Sequence, residues 1–420
     1  MAGTNSCKIS AQSETTKPLN ISRLSFDIPI KSEVTPLQAR MGVANHAVND
    51  PQATSAAIAM GFGFMRRGLT WTRIEKNGLY DFSMFDQLMA DAEAHGMWIL
   101  WLLAYGHPDY GGTSKMNSPG PKTEADIAAF ARYAEAAARH YSGHPVKFEI
   151  WNEENARNSL WHDPDDYAGF LKVVVPAIRK GNPDAQITAG GTTGVDNQYI
   201  IHLIEMGAAD KLNAIAVHPY RNGAPESAIA NYIQLRQKLN ELGAKHLALW
   251  DTEWGYTSSQ NGSDGHTPET RKQQAIMAAR KILTDWLAGL AISVWYDLRD
   301  DGTHATKKEQ NFGLISADNV MKPAGQAIKF LIQVLGTGNN GYWVGKSLDG
   351  IYCARITQPS GTYVIAWNID KKNPRMVQLQ SDDVKSAFDL YGHQLPLNKS
   401  LSKISLDLRE EDGPVYFLLN

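Results

Sequence analysis

This chain of 420 residues has few cysteines, little net charge and no long apolar run. The two cysteines, Cys7 and Cys353, are too few and too far apart for a disulfide framework, and no zinc-ligand spacing is present. The formal charge of −3 gives no electrostatic basis for binding nucleic acid or an anionic membrane. No apolar run reaches the roughly 18 residues of a membrane-spanning helix, so the sequence predicts no membrane span.

The composition is that of an ordinary globular protein, with 43% apolar and 20% charged residues. The polar N-terminal stretch lacks the apolar core of a signal peptide. The compartment therefore stays open: secreted or periplasmic if a signal peptide has been removed, and cytoplasmic otherwise. The length allows one large domain and a small one.

Short apolar runs alternate with amphipathic helical stretches from about residue 40 to about residue 335. Asp50-Pro51, Asp163-Pro164 and Thr267-Pro268 each predict a helix start, because Asp and Thr are favoured N-caps and Pro is favoured at the first helical position. Eight strand–helix units over roughly 295 residues predict an α/β fold, a closed (β/α)8 TIM barrel. A doubly wound open sheet is the alternative, but no Gly-rich phosphate fingerprint follows the first strand. The predicted strands lie at 41–44, 62–68, 97–103, from Phe148, and at 186–189, 212–218, 246–252 and 291–296.

The pattern changes after residue 336, where short alternating runs without helical period predict a small C-terminal all-β, sandwich-like domain. We therefore divide the chain into an N-terminal segment (1–37), a (β/α)8 barrel (38–336) and an accessory all-β domain (337–420). In the N-terminal segment, Ser22 to Ile30 could add a strand to the β domain.

Two predicted strands, the fourth and the seventh, end in similar polar clusters, Trp151-Asn152-Glu153-Glu154 and Asp251-Thr252-Glu253-Trp254. In a barrel the carboxyl ends of all strands face one way, so the residues at the strand ends gather on one rim. Among the residues at these strand ends, no pair of histidines has a ligand spacing such as i, i+4, which argues against a metal enzyme. Two carboxyl groups suit cleavage of a glycosidic bond, in which one protonates the leaving oxygen and the other attacks the sugar. The predicted rim residues are His46, Arg66, Tyr105, His107, Asn152, Glu153, His218, Tyr220, Glu253, Trp295 and Asp297.

Three of these strand ends resemble the clan A retaining glycoside hydrolases: Asn152-Glu153, His218-Pro219-Tyr220 and Thr252-Glu253-Trp254-Gly255. The chain is most similar to glycoside hydrolase family 39, in the bacterial branch that includes exopolysaccharide (biofilm) hydrolases. Further matching motifs are Arg66 with Trp71, Leu103 to Gly106, Trp295 to Gly302, Asn311 to Leu314 and Lys322 to Ala324. The resemblance covers residues 40 to about 335 and, more faintly, the β domain.

The resemblance implies Glu153 as the general acid/base and Glu253 as the nucleophile, without metal or cofactor. Asn152 would hold the sugar 2-hydroxyl, and Arg66 would keep Glu253 in its charged form. Retaining chemistry implies carboxyl groups about 5–5.5 Å apart. The full set of substrate-binding residues implied is Arg66, His107, Asn152, Trp161, His218, Tyr220, Trp295 and Asp297, with His218 and Tyr220 orienting the nucleophile and Trp295 serving as a sugar platform.

Several neighbouring residues allow other interpretations. Glu149, in mid-strand, is expected inside the barrel and paired to a cation. By strand alternation it shares a face with Trp151 and Glu153. Asp251 shares a face with Glu253 and is the alternative nucleophile. Glu154 stands where the clan usually has Pro, and is the alternative acid.

Burial beside Trp151 or Trp161 would favour the protonated form of Glu153. The cluster of Asp297, Asp300 and Asp301 could hold calcium, but salt bridges to Arg299 are the expected arrangement.

The sequence thus predicts a retaining hydrolase that cleaves β-glycosidic bonds of an oligo- or polysaccharide by double displacement, with an endo-acting exopolysaccharide hydrolase as one form. The alternatives are an exo-acting β-xylosidase or β-glucosidase, and a catalytically silent carbohydrate-binding barrel. In each case the expected partner is a carbohydrate.

Overall fold

The computed structural model describes residues 19–20, 38–46, 50–113, 119–260, 271–336, 345–348, 350–397 and 402–420. Eight parallel strands form a closed barrel in which each strand pairs with the next in the chain and the last pairs with the first. This confirms the predicted (β/α)8 barrel. The strands are β1 Met41–Ala44, β2 Phe64–Thr70, β3 Trp98–Ala104, β4 Val146–Ile150, β5 Gln186–Thr193, β6 Ala214–His218, β7 Ala248–Trp254 and β8 Ile292–Trp295.

A helix follows each strand and covers the outside of the barrel. Asp50 caps the first helix, and its carboxylate accepts a hydrogen bond from the backbone N–H of Ala53 at 3.0 Å. Thr123 and Asp126 form a reciprocal capping box on the third. The predicted start at Thr267-Pro268 lies outside the described residues. The helices are α1 Pro51–Met60, α2 Ser83–Ala94, α3 Glu124–His140, α4 Pro164–Gly181, α5 Asn197–Glu205, α6 Ile229–Glu241, α7 Arg271–Leu287 and α8 Pro323–Leu335.

Apolar side chains fill the barrel below the rim, among them Phe64, Leu100, Trp250 and Val294. A larger apolar layer joins the outer faces of the strands to the helices. Filling the lower barrel this way leaves the polar side chains at the carboxyl ends of the strands, where a barrel builds its functional site. Within the described ranges, no helix combines the length and the apolar character that a membrane crossing requires.

The C-terminal region is all-β, as predicted. Its strands form a six-stranded antiparallel sheet in the order β9-β10-β11-β16-β13-β14 and a three-stranded sheet in which β12 lies between Leu19–Asn20 and β15. An apolar cluster that includes Cys353 and Leu379 fills the space between the sheets. The strands are β9 Gly345–Leu348, β10 Ile351–Gln358, β11 Gly361–Asn368, β12 Arg375–Gln380, β13 Val384–Phe388, β14 Gln394–Leu395, β15 Lys403–Leu408 and β16 Val415–Leu419.

The β region is anchored to the barrel by a buried ion cluster. The guanidinium of Arg280 on α7 binds both Glu226 and Glu410, and the indole N–H of Trp367 donates to Glu226 at 2.7 Å. Ser22 to Ile30 and residues 337–344 lie outside the described residues, so the domain boundaries at residues 37 and 336 remain a prediction.

Candidate active site

Arg66, in the first half of β2, is the centre of the polar cluster on the rim. Its guanidinium donates from three nitrogens to three residues: Nε to Glu149 at 2.6 Å, Nη1 to Glu253 at 2.6 Å, and Nη2 to the amide oxygen of Asn152 at 2.8 Å. The side chain is only 5% exposed. One buried arginine therefore ties β2 to the ends of β4 and β7, and the predicted pairing of Glu149 with a cation is confirmed.

A second chain of contacts runs below the rim from Glu149 to His218. Thr252 donates its hydroxyl to Glu149 at 2.6 Å and lies 3.2 Å from Nε2 of His218. Burial would raise the pKa of Glu149, but Arg66 and His218 outweigh it and lower that pKa to about 2. Glu149 is therefore a permanently charged support for the site.

His218, at the end of β6, contacts the predicted acid/base rather than the predicted nucleophile. Its Nδ1 lies 3.4 Å from Oε1 of Glu153. Burial alone would lower the pKa of His218, but Glu253, Glu149 and Glu153 together raise it to about 10. The ring is therefore an imidazolium at neutral pH, and the expected orienting of Glu253 by His218 is corrected to a contact with Glu153.

Glu153 reaches the rim through an irregular backbone. β4 ends at Ile150, and Trp151 and Glu153 both have positive φ angles, 69° and 50°. The N–H of Glu153 donates to the carbonyl of Gly191 at 3.0 Å, which holds this turn. The expected alternation of Glu149, Trp151 and Glu153 on one face is thus wrong, because the left-handed residues turn Trp151 outward to pack on Phe170.

The two predicted catalytic carboxyl groups face each other across this rim. One oxygen of Glu153 and one of Glu253 lie within 4.8 Å of each other and of a His218 ring nitrogen. Tyr220 donates its hydroxyl to Glu253 at 3.2 Å, on the oxygen that Arg66 does not bind. The Glu253 and Glu153 side chains keep 14% and 32% of their surface exposed, so a ligand can reach both.

The protonation of Glu153 differs from the expectation. Burial raises its pKa, but the hydrogen bond and charge of His218 outweigh burial, and the pKa is lowered. Trp151 and Trp161 pack on each other and on Phe170. Without a ligand, Glu153 is therefore ionised.

Asp251, the alternative nucleophile, faces the helices. The pairing of β7 with β8 shifts register between Asp251 and Trp254, so alternation does not carry through to Glu253. Asp251 is fully buried in an ion pair with Lys281 of α7, and its carboxylate accepts the backbone N–H of Glu253 at 3.2 Å. It supports the backbone of Glu253 and does not reach the rim.

Glu154, the alternative acid, is also turned away from the rim. The side chain is fully buried, and neither oxygen has a hydrogen-bond partner within the described residues. Burial raises its pKa to about 8, with smaller contributions from Glu149 and Glu153. Glu154 is therefore an uncharged carboxylic acid at neutral pH.

Gly255 is the last residue of the predicted nucleophile motif, and it allows two strand ends to meet. A Cβ at this position would overlap the carbonyl oxygen of Tyr296. The close approach of the backbone after β7 to the backbone after β8 therefore requires glycine.

Three residues that were predicted to contact the substrate are instead buried in the protein. Trp295 is 1% exposed and its indole N–H donates to the carbonyl of Phe312, while Val294 takes the position inside the barrel. Trp161 is 3% exposed and stacks on Phe170 at 4.4 Å. Neither ring presents a face to a sugar.

His107 is the third correction. Nδ1 accepts from the backbone N–H of Asp109 and Nε2 contacts the carbonyl of Glu75 at 3.1 Å. Both ring nitrogens are thus used within the third loop, and the ring packs beside Trp71.

The aromatic residue on the β8 side of the rim is Tyr296, which sequence reasoning did not select. It is half-buried, with its ring 5.1 Å from His46 and 6.4 Å from Tyr220. Its position next to Trp295 was the available signal, since only one of two adjacent residues can point inward. Thr252 was also missed, because a threonine between two acidic residues carries no distinctive pattern.

Asp297 lies beside His46 at the β8 end of the rim, with Nδ1 of His46 3.7 Å from its carboxylate. The predicted salt bridges from Arg299 to this acidic cluster are wrong. Arg299 pairs with Asp50, and Asp300 pairs with Lys322 at 2.8 Å.

Comparison with known proteins places the chain in a family. The model of the family described as cellulase (glycosyl hydrolase family 5) matches residues 27–289. An endoglucanase from Clostridium saccharobutylicum is 28% identical over 176 residues, which are 40% of this chain. The match spans 35% of that endoglucanase.

Solved structures with the same fold include family 39 enzymes. A family 39 glycoside hydrolase from Bacteroides cellulosilyticus superposes with a TM-score of 0.77 at 24% identity, over 92% of this chain and 81% of that one. A family 39 β-xylosidase from Caulobacter crescentus has a TM-score of 0.66 at 16% identity, over 96% and 99% of the two chains. Because the family model spans more than half of the sequence, this chain belongs to the cellulase (glycosyl hydrolase family 5) family, within the clan A glycoside hydrolases, and family 39 enzymes share its fold.

Proposed function

We propose that the protein is a retaining glycoside hydrolase that cleaves β-glycosidic bonds of an oligo- or polysaccharide, with Glu253 as nucleophile and Glu153 as acid/base. The observation that carries this proposal is the approach of the two carboxyl groups, with one oxygen of Glu153 within 4.8 Å of one oxygen of Glu253. Retaining enzymes place these groups about 5–5.5 Å apart, whereas inverting enzymes need about 6.5–9.5 Å to admit a water molecule.

In the first step, an oxygen of Glu253 attacks the anomeric carbon, and the bond from that carbon to the leaving oxygen breaks. Glu153 gives its proton to the leaving oxygen. In the second step, water attacks the anomeric carbon, Glu153 takes a proton from the water, and the ester bond to Glu253 breaks.

The surroundings of Glu253 support the nucleophile role. Arg66 binds one carboxylate oxygen and Tyr220 binds the other, so the side chain is held in a single orientation. Holding the attacking atom in place removes part of the entropic barrier of the reaction.

The surroundings of Glu153 support a change of protonation during the cycle. A bound sugar would cover the exposed part of the side chain, and desolvation raises a carboxyl pKa towards the protonated form that the first step needs. Once Glu253 becomes an ester, one negative charge is lost, which lowers the pKa of Glu153 and favours its role as base.

Asn152 is oriented to hold a sugar hydroxyl. Arginine can only donate hydrogen bonds, so its contact with Asn152 must use the amide oxygen. The amide NH2 group is therefore the part that would donate to the 2-hydroxyl.

The test is turnover of a panel of aryl β-glycosides, with the anomer of the first-formed product identified by NMR. We expect retention, a loss of roughly 10²–10⁴-fold in rate for Glu153→Gln, and a larger loss for Glu253→Gln. The exposed Glu205→Gln on α5 is the matched control and keeps full activity. An inverted product, or undiminished rates in both rim variants, would refute the proposal.

An endo-acting and an exo-acting enzyme remain two forms of this proposal. The similarity to an endoglucanase supports endo action, and the shared fold with a β-xylosidase supports exo action. Product sizes from purified polysaccharides, bacterial exopolysaccharides included, distinguish them: endo action releases oligomers of several lengths early, and exo action releases monosaccharide. Binding without turnover would instead indicate the catalytically silent barrel.

A further inference from the structure

A second cluster of ionisable side chains lies beside the rim, between the ends of β1 and β8. Nδ1 of His46 lies 3.5 Å from Oδ2 of Asp301 and 3.7 Å from Oδ2 of Asp297. One donor atom from each of the three residues lies within 4.8 Å of the others. These residues carry no role in the bond cleavage proposed above.

The cations nearest to this cluster are engaged with other carboxylates. Lys322 is bound to Asp300 at 2.8 Å, and Arg299 is bound to Asp50. Among the described residues, Asp297 and Asp301 each form an ion pair with His46. The site therefore favours a positively charged ligand.

Asp297 has an unused coordinating oxygen. Its side chain is 3% exposed, yet Oδ1 has no hydrogen-bond partner in the described part of the chain. A buried acceptor without a partner costs free energy of about 1–3 kcal/mol, and a bound cation would satisfy this oxygen. The other oxygen of the same carboxylate faces His46, which aims the group into the cluster.

The spacing fits a tetrahedral cation. Zinc binds imidazole nitrogen and carboxylate oxygen at about 2.0–2.2 Å, so neighbouring ligands of a tetrahedral site are roughly 3.3–3.6 Å apart. The two distances from His46 are close to this range. His46 and Asp301 are each about two-fifths exposed and can adjust, while the buried Asp297 supplies a fixed ligand.

We propose that His46, Asp297 and Asp301 bind a divalent cation of the zinc type, with the fourth position open. An imidazole ligand favours zinc over calcium or magnesium, which prefer oxygen ligands alone. His46 and Asp301 border a cavity of about 380 Å³, which has room for a water molecule or a sugar hydroxyl as the fourth ligand. The ring of Tyr296 lies between this site and Tyr220, so the cation would sit at one end of the substrate cleft.

The experiment is calorimetric titration of the full chain with zinc chloride after treatment with a chelator and dialysis. We expect one equivalent to bind, and Asp297→Asn and His46→Ala each to weaken binding by at least about 100-fold, since removing even an outer-shell partner costs 10–100-fold. His46 is exposed, so its replacement spares the core if Asp297→Asn impairs folding. The exposed Asp210→Asn is the matched control and binds normally.

Glu253→Gln separates this site from the other possible ligand group, Glu153 with His218 and Glu253. Under the proposal this variant binds zinc as the unmodified protein does. Binding that is lost in Glu253→Gln but kept in Asp297→Asn would overturn the proposal, as would the absence of binding up to about 1 mM zinc, a weak limit for a protein metal site.

Discussion

The buried carboxyl group of Glu154 should make the stability of this protein depend on pH. Its folded-state pKa is raised to about 8 from an ordinary value of 4.5, mainly by burial. Between these two values the folded chain keeps a proton that the unfolded chain releases. The contribution of Glu154 to the free energy of unfolding is therefore fully present below about pH 4.5. This contribution is lost as the pH rises towards 8.

The size of the effect follows from the shift. Each pKa unit corresponds to 1.36 kcal/mol, so the full shift is worth about 5 kcal/mol. Between pH 5 and pH 8 the loss specific to Glu154 is roughly 3–4 kcal/mol, because the slope flattens near the folded-state pKa. Glu154→Gln removes the titrating group, and the cost of burying the amide does not change with pH.

The measurement is urea unfolding of both proteins at pH 5 and pH 8, followed by tryptophan fluorescence. The free energy of unfolding of Glu154→Gln, relative to the unmodified protein, should increase by about 3–4 kcal/mol between the two pH values. Glu205→Gln is the same substitution at an exposed position, and it should show no such increase. A difference that stays within about 1 kcal/mol between pH 5 and pH 8 would refute the reasoning.

Three further substitutions test the support of the site. Arg66→Lys keeps the charge but loses the three contacts to Glu149, Glu253 and Asn152. We therefore expect kcat to fall roughly 10²-fold. An unchanged kcat would contradict the role of Arg66 in positioning the site. Lys281→Met removes the cation that the buried Asp251 and Asp285 share. It should reduce the free energy of unfolding by about 3–5 kcal/mol, measured by urea titration, with Lys281→Arg as the milder control. Gly255→Ala forces the ends of β7 and β8 apart. It should lower the activity, and it should lower the free energy of unfolding by about 1–3 kcal/mol. A fully active variant would show that the close approach is dispensable.

The barrel could be predicted because its signals are local. Strands covered on both faces are apolar throughout, and caps such as Asp50 and Asp163 mark helix starts within four residues. The rim residues Arg66, Asn152 and Glu253 were found for a related reason, since the ends of parallel strands converge whatever the details of packing.

The errors arose where the backbone leaves regular geometry. Positive φ angles at Trp151 and Glu153 and the register shift after Asp251 each change the face to which a side chain points. Alternation cannot anticipate these irregularities, so Trp151 was expected inward and Asp251 beside the nucleophile. The same limit applies to Trp295, whose outward orientation depends on the register of β8 in the closed barrel.

Burial of single polar groups was the other limit. Glu154 follows the predicted acid/base in the chain and could equally have pointed into solvent. Only the folded structure shows that it is enclosed, with its carboxylate beside Gly190 of β5. The lowered pKa of Glu153 depends on a contact with His218, which lies 65 residues away in sequence.

The most direct test of the double-displacement account is to trap the glycosyl-enzyme. A β-glycoside with an activated leaving group and a fluorine at carbon 2 slows both steps, and digestion followed by mass spectrometry locates the attached sugar. The account predicts one sugar per chain, esterified to Glu253, and none on Glu253→Gln. A sugar attached to any other residue, or an inverted product formed without a covalent intermediate, would contradict it.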